Sequence, residues 1–450
     1  MGQTMTDHLF PNSRTAWQKP DLLKAYRDRI AELDASFDAG IERNRKEEAI
    51  VRVVDRGGKP VSGAHLALSQ KTHDFRFGCN GLQIGQKDEL NQEYEREFAR
   101  LFNLVTTTVC WSVTEIEEGK FRLAERDGDM YRRPPLDRIV AFGKKYGIRV
   151  KGQPLMADSW WPDWTSRDAD ALKRQWSAFV RVMGETYADK VDVWDVVNEA
   201  MQCPSRHPDF PLLDKDYSYV DWCFAEIGRV FPEKHGVFEL NEATNANWGN
   251  PADTYFGIAS RLVEKGLPLQ QIGFQFHMTN GKEAIRHLKG ENLPLASVLE
   301  TYRRFSALGL PLAITEITIP SRIPDFSPEE GEALQAEIAR NLYRMWFSLP
   351  AIDTITYWNL MDGAHWMNEG DCRGCLLDVN MKEKPVYHAL YQLIQREWIT
   401  SLDAQTDEKG EFSFRGFCGE YALTAETETR RLSLPIGIHH GAKNEFLVTL

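Results

Sequence analysis

The sequence has no run of the ~20 apolar residues that a membrane-spanning helix needs. Its first residues, MGQTMTDHLFPNSR, lack the basic start and apolar stretch of an export signal. The chain therefore reads as cytoplasmic, or as secreted or periplasmic if a signal has been removed, with no membrane partner. Long basic runs are missing too. The formal charge of -12 is spread along the chain, so no segment can neutralise a series of phosphates, which argues against nucleic acid as a partner. Cysteine is sparse and unpatterned. Seven residues at 79, 110, 203, 223, 372, 375 and 418 make an odd count without framework spacing, which reads as reduced thiols. Cys372 and Cys375 form a lone C-x-x-C, open to a strained disulfide or to half of a metal site. No second C-x-x-C or H-x-x-x-H completes a metal set. Internal repeats and low-complexity tracts are absent, and nothing marks an oligomeric state.

What is present is the composition of an ordinary globule. Hydrophobic residues make up 42% and charged residues 27%, enough to bury a sizeable core. The 450 residues suit one large domain plus a small one. The 13 Trp exceed what such a core needs. Exposed rings of this kind stack on the apolar faces of sugars, while the plainer reading leaves them as core aromatics.

From about residue 75 to 398, short apolar runs alternate with longer amphipathic stretches, the pattern of repeated β-α units around a parallel sheet. Eight strands are predicted: FRFGCN from Phe75, LVTTTVCW from Leu104, IRVKGQPL from Ile148, VDVWDVVNE from Val191, GVFELNEA from Gly236, QIGFQFHM from Gln271, PLAITEITI from Pro311 and TITYWNLMD from Thr354. Leu90, Tyr94, Phe98 and Leu101, and later Leu334, Ile338, Leu342 and Met345, carry helical spacing between them. The expected fold is a (β/α)8 TIM barrel, whose chemistry sits at the C-terminal ends of its strands. The termini read differently. EAIVRVVDRGGKPVSGAHLALSQ is strand, turn, strand, and the stretch from Thr406 looks like successive hairpins. The expected organisation is a helical segment over 1–47, with Leu22, Tyr26, Ile30 and Leu33 at helical spacing as far as Phe37. A small β-sandwich is assembled from 48–72 and 399–450, and the barrel occupies 73–398.

Two predicted strands end on carboxylates. VDVWDVVNE closes with Asn198-Glu199, and PLAITEITI carries Glu316 after largely apolar residues. Taken alone, Glu199 is as easily a strand-terminal carboxylate satisfied by a neighbouring Arg or a helix N-terminus. Twice at one rim, however, an acidic residue ending a buried strand is costly unless paired or functional. Two carboxylates at one rim are what glycosidic bond cleavage requires, one donating a proton to the leaving oxygen and the other attacking or activating water.

WDVVNEA at 194–200, FELNEATN at 238–245, IGFQFHMTN at 272–280, ITEITI at 314–319 and YWNLMDGAHW at 357–366 stand in that order, followed by CLLDVNMKEKPVYHAL. Together they resemble glycoside hydrolase family 10, the barrel-type endo-β-1,4-xylanases, over roughly residues 75–395. The resemblance implies a retaining glycoside hydrolase acting on β-glycosidic bonds of xylan or a related plant polysaccharide, with a carbohydrate as its partner and no cofactor. It makes Glu199 the acid/base and Glu316 the nucleophile, roughly 5 to 5.5 Å apart. Asn198 would bind the sugar 2-hydroxyl, His277 would hydrogen-bond Glu316, and Gln275 and Asn241 would line the cleft. Trp358 and Trp366 would wall the reactive subsite, unless they are barrel-rim packing; a lone His277 would otherwise be read as structural.

The departures from the family pattern fall on the sugar-reading positions. On the second strand Trp111 survives, but Cys110 stands where a Lys is usual and a Glu-Asn pair is absent. On the third, Gln153 replaces a His, and Ala157-Asp158 replaces a Trp-His. Thr318 stands where an Asp usually follows the nucleophile. Trp160, Trp161 and Trp164 offer either a different sugar platform or a cover for the barrel mouth. Asp158 contacts a hydroxyl or a charged decoration, or only caps a loop. An exo-acting or specialised β-glycosidase on a decorated glycoside, or a non-catalytic carbohydrate-binding protein, is therefore the alternative. The sandwich is open to carbohydrate binding or to a structural role. A metal-dependent barrel hydrolase would need a His/Asp cluster at strand ends, where His is only scattered.

Overall fold

The computed structural model describes residues 18–157, 159–243, 252–291, 294–363 and 367–450. Asp158 and Trp366 lie outside the described residues, as does the end of the FELNEATN motif. Among the described residues no helix is long and apolar enough to cross a membrane.

Eight strands form the barrel: β3 (Arg76–Asn80), β4 (Leu104–Thr108), β5 (Arg149–Gln153), β6 (Val193–Asn198), β7 (Val237–Glu242), β8 (Gln271–His277), β9 (Leu312–Thr318) and β10 (Ile352–Tyr357). Each pairs in parallel with the next, and β10 returns to β3 through Ile355↔Phe77, which closes the sheet. Seven lie within the apolar runs expected from the sequence, and β10 begins two residues before its run, at Ile352 rather than Thr354. Such strands are covered on the outside by helices and on the inside by one another's side chains, so they read as nearly continuous apolar segments. Every residue of β3, β8 and β9 is buried.

Two further sheets draw on both ends of the chain. β1 (Lys46–Val54) pairs antiparallel with β12 (Glu411–Phe417) and parallel with β15 (Glu445–Thr449). β2 (His65–Gln70) lies between β11 (Ser401–Gln405) and β13 (Gly419–Glu426), and β13 continues to β14 (Arg431–Ile438). Their inner faces share one apolar cluster, including Val51, Val53, Leu66, Leu68, Leu423, Ile436 and Val448. The fold is thus a TIM barrel with extra sheets built from its termini.

The leading helix, α1 (Lys19–Arg45), is longer than its apolar spacing suggests. It lies against the helix Pro328–Ser348, and a Cβ on Gly40 would sit 2.7 Å from the Ser348 carbonyl oxygen. Glycine here permits close packing rather than ending the helix. At its end Arg45 donates to the carbonyls of Phe347, Leu349 and Ile352, tying α1 to the edge of the barrel.

Candidate active site

The polar residues expected at the rim converge there because each lies at or near the C-terminal end of its strand. Gln153 and Asn198 are the last residues of β5 and β6, Asn241 is the penultimate residue of β7, and His277 ends β8. Glu316 and Thr318 lie on β9, opposite Gln275 and His277 of β8. The register of β9 shifts on both sides of Glu316, against β8 between Phe274 and Gln275 and against β10 between Ile314 and Ile317. Irregularities of this kind re-aim a side chain at the mouth of a barrel.

Glu316 is held by three donors from three strands. Gln153 Nε2 reaches Oε1 at 2.5 Å, Asn241 Nδ2 reaches the same oxygen at 3.0 Å, and His277 Nε2 stands 3.1 Å from Oε2. A carboxylate only accepts hydrogen bonds, so it can satisfy this arrangement. His277 is oriented from its other side, Nδ1 lying 2.8 Å from Thr318 Oγ1. Asn241 Oδ1 accepts from Thr315 Oγ1 at 2.7 Å, which fixes the side-chain amide so that its nitrogen faces Glu316.

Glu199 stands across the mouth in a left-handed backbone conformation, φ 57° and ψ 36°, anchored by its own N–H on the Asn241 carbonyl at 3.0 Å. A non-glycine residue in this region costs on the order of 1 to 3 kcal/mol and persists where its surroundings hold it. Its Oε1 accepts from Gln275 Nε2 at 3.0 Å, and its Oε2 accepts from Arg206 Nη1 at 2.5 Å. The same Gln275 nitrogen donates to Asn198 Oδ1 at 3.2 Å, and Asn241 Nδ2 donates to that oxygen at 2.9 Å. A bridge of amides, Gln275, Asn198 and Asn241, therefore links the two carboxylates.

Charge continues below the rim. Glu242, 1% exposed, accepts the Met201 and Ala243 backbone N–H groups at 2.9 Å each, and burial pushes its carboxyl up to about 8, with the Glu199 charge adding to the effect. Deeper in the barrel Lys151 pairs with Glu239 beside Asp195, and all three are buried. Burial holds the Asp195 carboxyl well above the ordinary carboxylate range and raises that of Glu239, opposed in both mainly by Lys151.

The aromatic expectations divide. Trp358 is half-buried beside the His277 ring, with centroids 6.1 Å apart, and so flanks the site. Trp111 is not available to a sugar. It is 2% exposed, stacks on Phe179 and donates from Nε1 to Glu115 Oε2 at 2.7 Å, because the short helix Trp111–Thr114 turns it into the core. Trp164 packs edge-on against Trp111 and donates to the Glu115 carbonyl, while Trp160 lies under Arg133 and Trp161 under Arg167. Cys110 is also buried. The Cys375 thiol is buried and free, so the C-x-x-C is not bridged. Among the described residues no group of three or more His, Cys, Asp or Glu is placed to hold a metal ion.

Arg206 and Glu242 are the site residues that the sequence reading did not single out. Arg206 ends the four-residue helix Cys203–Arg206, seven residues beyond Glu199, a piece too short for periodicity to assign it a direction. Glu242 carries a weak signal, as a second carboxylate in an apolar strand.

The family model for glycosyl hydrolase family 10 matches residues 71–393. Anti-sigma-I factor RsgI6 of Acetivibrio thermocellus is 26% identical over 388 residues, covering 85% of this chain and 45% of that protein. Endo-1,4-beta-xylanase C of Paenibacillus barcinonensis is 23% identical over 63% of this chain and 28% of its own length, so the chain spans under half of these two relatives. Endo-1,4-beta-xylanase B of Thermotoga neapolitana is 23% identical over 76% of this chain and 94% of its own. Among solved structures, native xylanase 10B from Thermotoga maritima shares the fold with a TM-score of 0.58 at 21% identity, over 72% of this chain and 96% of that one. The family match covers most of the chain and includes every strand of the barrel and both carboxylates at its rim, and the chain belongs to glycosyl hydrolase family 10.

Proposed function

We propose that the chain is a retaining glycoside hydrolase that cleaves β-linked glycosides of xylan or a related plant polysaccharide. The observation that carries this reading is the pair of rim carboxylates in unlike surroundings, Glu316 ringed by Gln153, Asn241 and His277, and Glu199 half-open beside Gln275 and Arg206. Glu316, with a side chain 6% exposed, serves as nucleophile; Glu199, 19% exposed, serves as acid and then base. In the first step a Glu316 oxygen bonds the anomeric carbon while the bond to the leaving oxygen breaks, and Glu199 gives that oxygen its proton. In the second, Glu199 takes a proton from water, whose oxygen displaces Glu316 from the same carbon. Asn198 binds the 2-hydroxyl of the sugar, and Trp358 walls the subsite. Trp366 and Asp158, outside the described residues, remain assigned to the substrate cleft by resemblance.

The altered positions favour a second reading within the same chemistry. Cys110 and Trp111 are buried where sugar contacts are usual, and Gln153 is spent on Glu316. A specialised or exo-acting enzyme on a decorated glycoside fits those changes better than unmodified xylan does.

The test is hydrolysis of aryl β-xylobioside, β-xyloside, β-glucoside and β-cellobioside beside xylan, with the product anomer followed by NMR. Glu316→Gln abolishes turnover, and Glu199→Gln lowers it by about 100- to 10,000-fold on poor leaving groups. First release of the inverted anomer, or full activity in Glu316→Gln, would falsify the assignment. A wild-type protein that binds these sugars without turning any over is a carbohydrate-binding protein.

A further inference from the structure

We propose that Arg206 forms an anion-reading subsite on the leaving-group side of Glu199, selecting β-glycosides whose aglycone carries a carboxylate. The inference rests on the glycosidase reading above and names its substrate class.

The argument starts from the donors around Glu199. Oε1 receives Gln275 and Oε2 receives Arg206, so both oxygens of the side chain face donors. A protonated carboxyl has to donate, and a group that already faces a donor cannot do so until that donor moves. Gln275 is 4% exposed and fixed by its second bond to Asn198. Arg206 is the more exposed partner. Its side chain is 38% exposed, and Glu199 is its one ion-pair partner among the described residues. Oε1 is tied through the amide bridge towards Glu316 and Oε2 takes the guanidinium, so the proposed subsite assigns the Oε2 side of Glu199 to the departing aglycone.

What draws a guanidinium off one carboxylate is another that it can grip with both arms of its fork. Two parallel charge-assisted bonds of this kind are stronger and more geometrically specific than a bond to a sugar hydroxyl. Moving Arg206 to the substrate leaves Glu199 beside Glu242, whose carboxyl the Glu199 charge already pushes towards protonation. The charged group that then acts on Glu199 is Glu242 from β7, while Gln275, Asn198 and Asn241 stand between Glu199 and the His277–Glu316 pair. A carboxylate in the aglycone therefore binds and frees the acid in one exchange, and a neutral aglycone draws Arg206 away less effectively.

Two sources of that carboxylate share the chemistry, a uronic acid on the leaving-side sugar and a carboxylated aromatic aglycone. The test pairs meta-carboxyphenyl with meta-carbamoylphenyl β-xylobioside, and a xylotriose bearing a uronic acid on its leaving-side sugar with the undecorated trisaccharide. Sulfur-linked analogues report binding by calorimetry, and the oxygen-linked compounds report kcat/KM. The wild type is expected to favour the carboxylate member by about tenfold or more in at least one pair. The arm that shows the preference identifies the source. Arg206→Gln brings the ratio close to one, and Arg206→Lys, which keeps the charge but not the fork, retains part of it. A wild type that binds and cleaves both members of each pair alike overturns the subsite, as does a preference that survives Arg206→Gln. Failure to cleave any oxygen-linked compound counts against the glycosidase reading alone, because the binding ratios still decide the role of Arg206.

Discussion

The imidazole of His277 touches Glu316 with one nitrogen, and its other nitrogen meets a hydroxyl, Thr318 Oγ1, in a buried setting. Which nitrogen carries the proton in a neutral imidazole is set by the partner of the other. A hydroxyl can donate or accept, so Thr318 fixes the ring without adding a charge. Thr318→Val keeps the shape and removes the oxygen that meets this buried ring nitrogen, at a cost of about 1 to 3 kcal/mol. The expected result is a kcat about tenfold lower, restored by Thr318→Ser. An unchanged kcat in the Val variant would show that the hydroxyl does not hold His277 in its working orientation.

The strands were legible in the sequence and the fine placement on them was not. Buried parallel strands are apolar along their whole length, so eight runs could be counted, and the carboxylates stood out because charge is rare at such positions. Periodicity, however, carries no trace of the register shifts around Glu316, which depend on neighbouring strands. The same limit explains Trp111, whose surroundings are decided by a four-residue turn. One glycine inside the barrel has a testable consequence. A Cβ on Gly273 would lie 2.6 Å from Asn241 Oδ1 and 2.8 Å from Thr315 Cγ2. Gly273→Ala therefore displaces the amide that bridges Asn198 and Glu316, and kcat is expected to fall about tenfold or more, with a stability loss of about 1 to 3 kcal/mol. Gly143→Ala crowds the Ile148 carbonyl on the outer side of the barrel at 2.6 Å and should cost similar stability with kcat unchanged. Kinetics and thermal midpoints of the two variants, measured side by side, separate a site effect from a packing effect; equal kcat values would count against the bridge.

Barrel and sandwich meet at His73, which sits edge-on to Phe77 of β3 at 5.4 Å and to Phe417 of β12 at 6.3 Å. Burial pushes its imidazole down from 6.5 to about 4, so the unfolded chain binds a proton more readily than the folded one across that range. Its contribution to stability is complete above pH 6.5 and is lost as the pH falls through about 4. The wild type is expected to lose on the order of a few kcal/mol more than His73→Phe over this window, read from urea midpoints against pH. Parallel pH curves for the two proteins would place the acid-sensitive contact elsewhere.

The same seam also constrains how the molecule is made. Arg415 of β12 reaches Glu48 of β1 across 367 residues, and β2 likewise finds both of its neighbours only after the barrel has been laid down. At a synthesis rate of about 5 to 20 residues per second, β1 and β2 emerge roughly 20 to 70 s before their partners. Throughout that interval two apolar strands are present with open edges, the form in which nascent chains most readily pair with the wrong neighbour. Slowing translation late in the message should therefore lower the yield of native protein more than slowing it within the barrel.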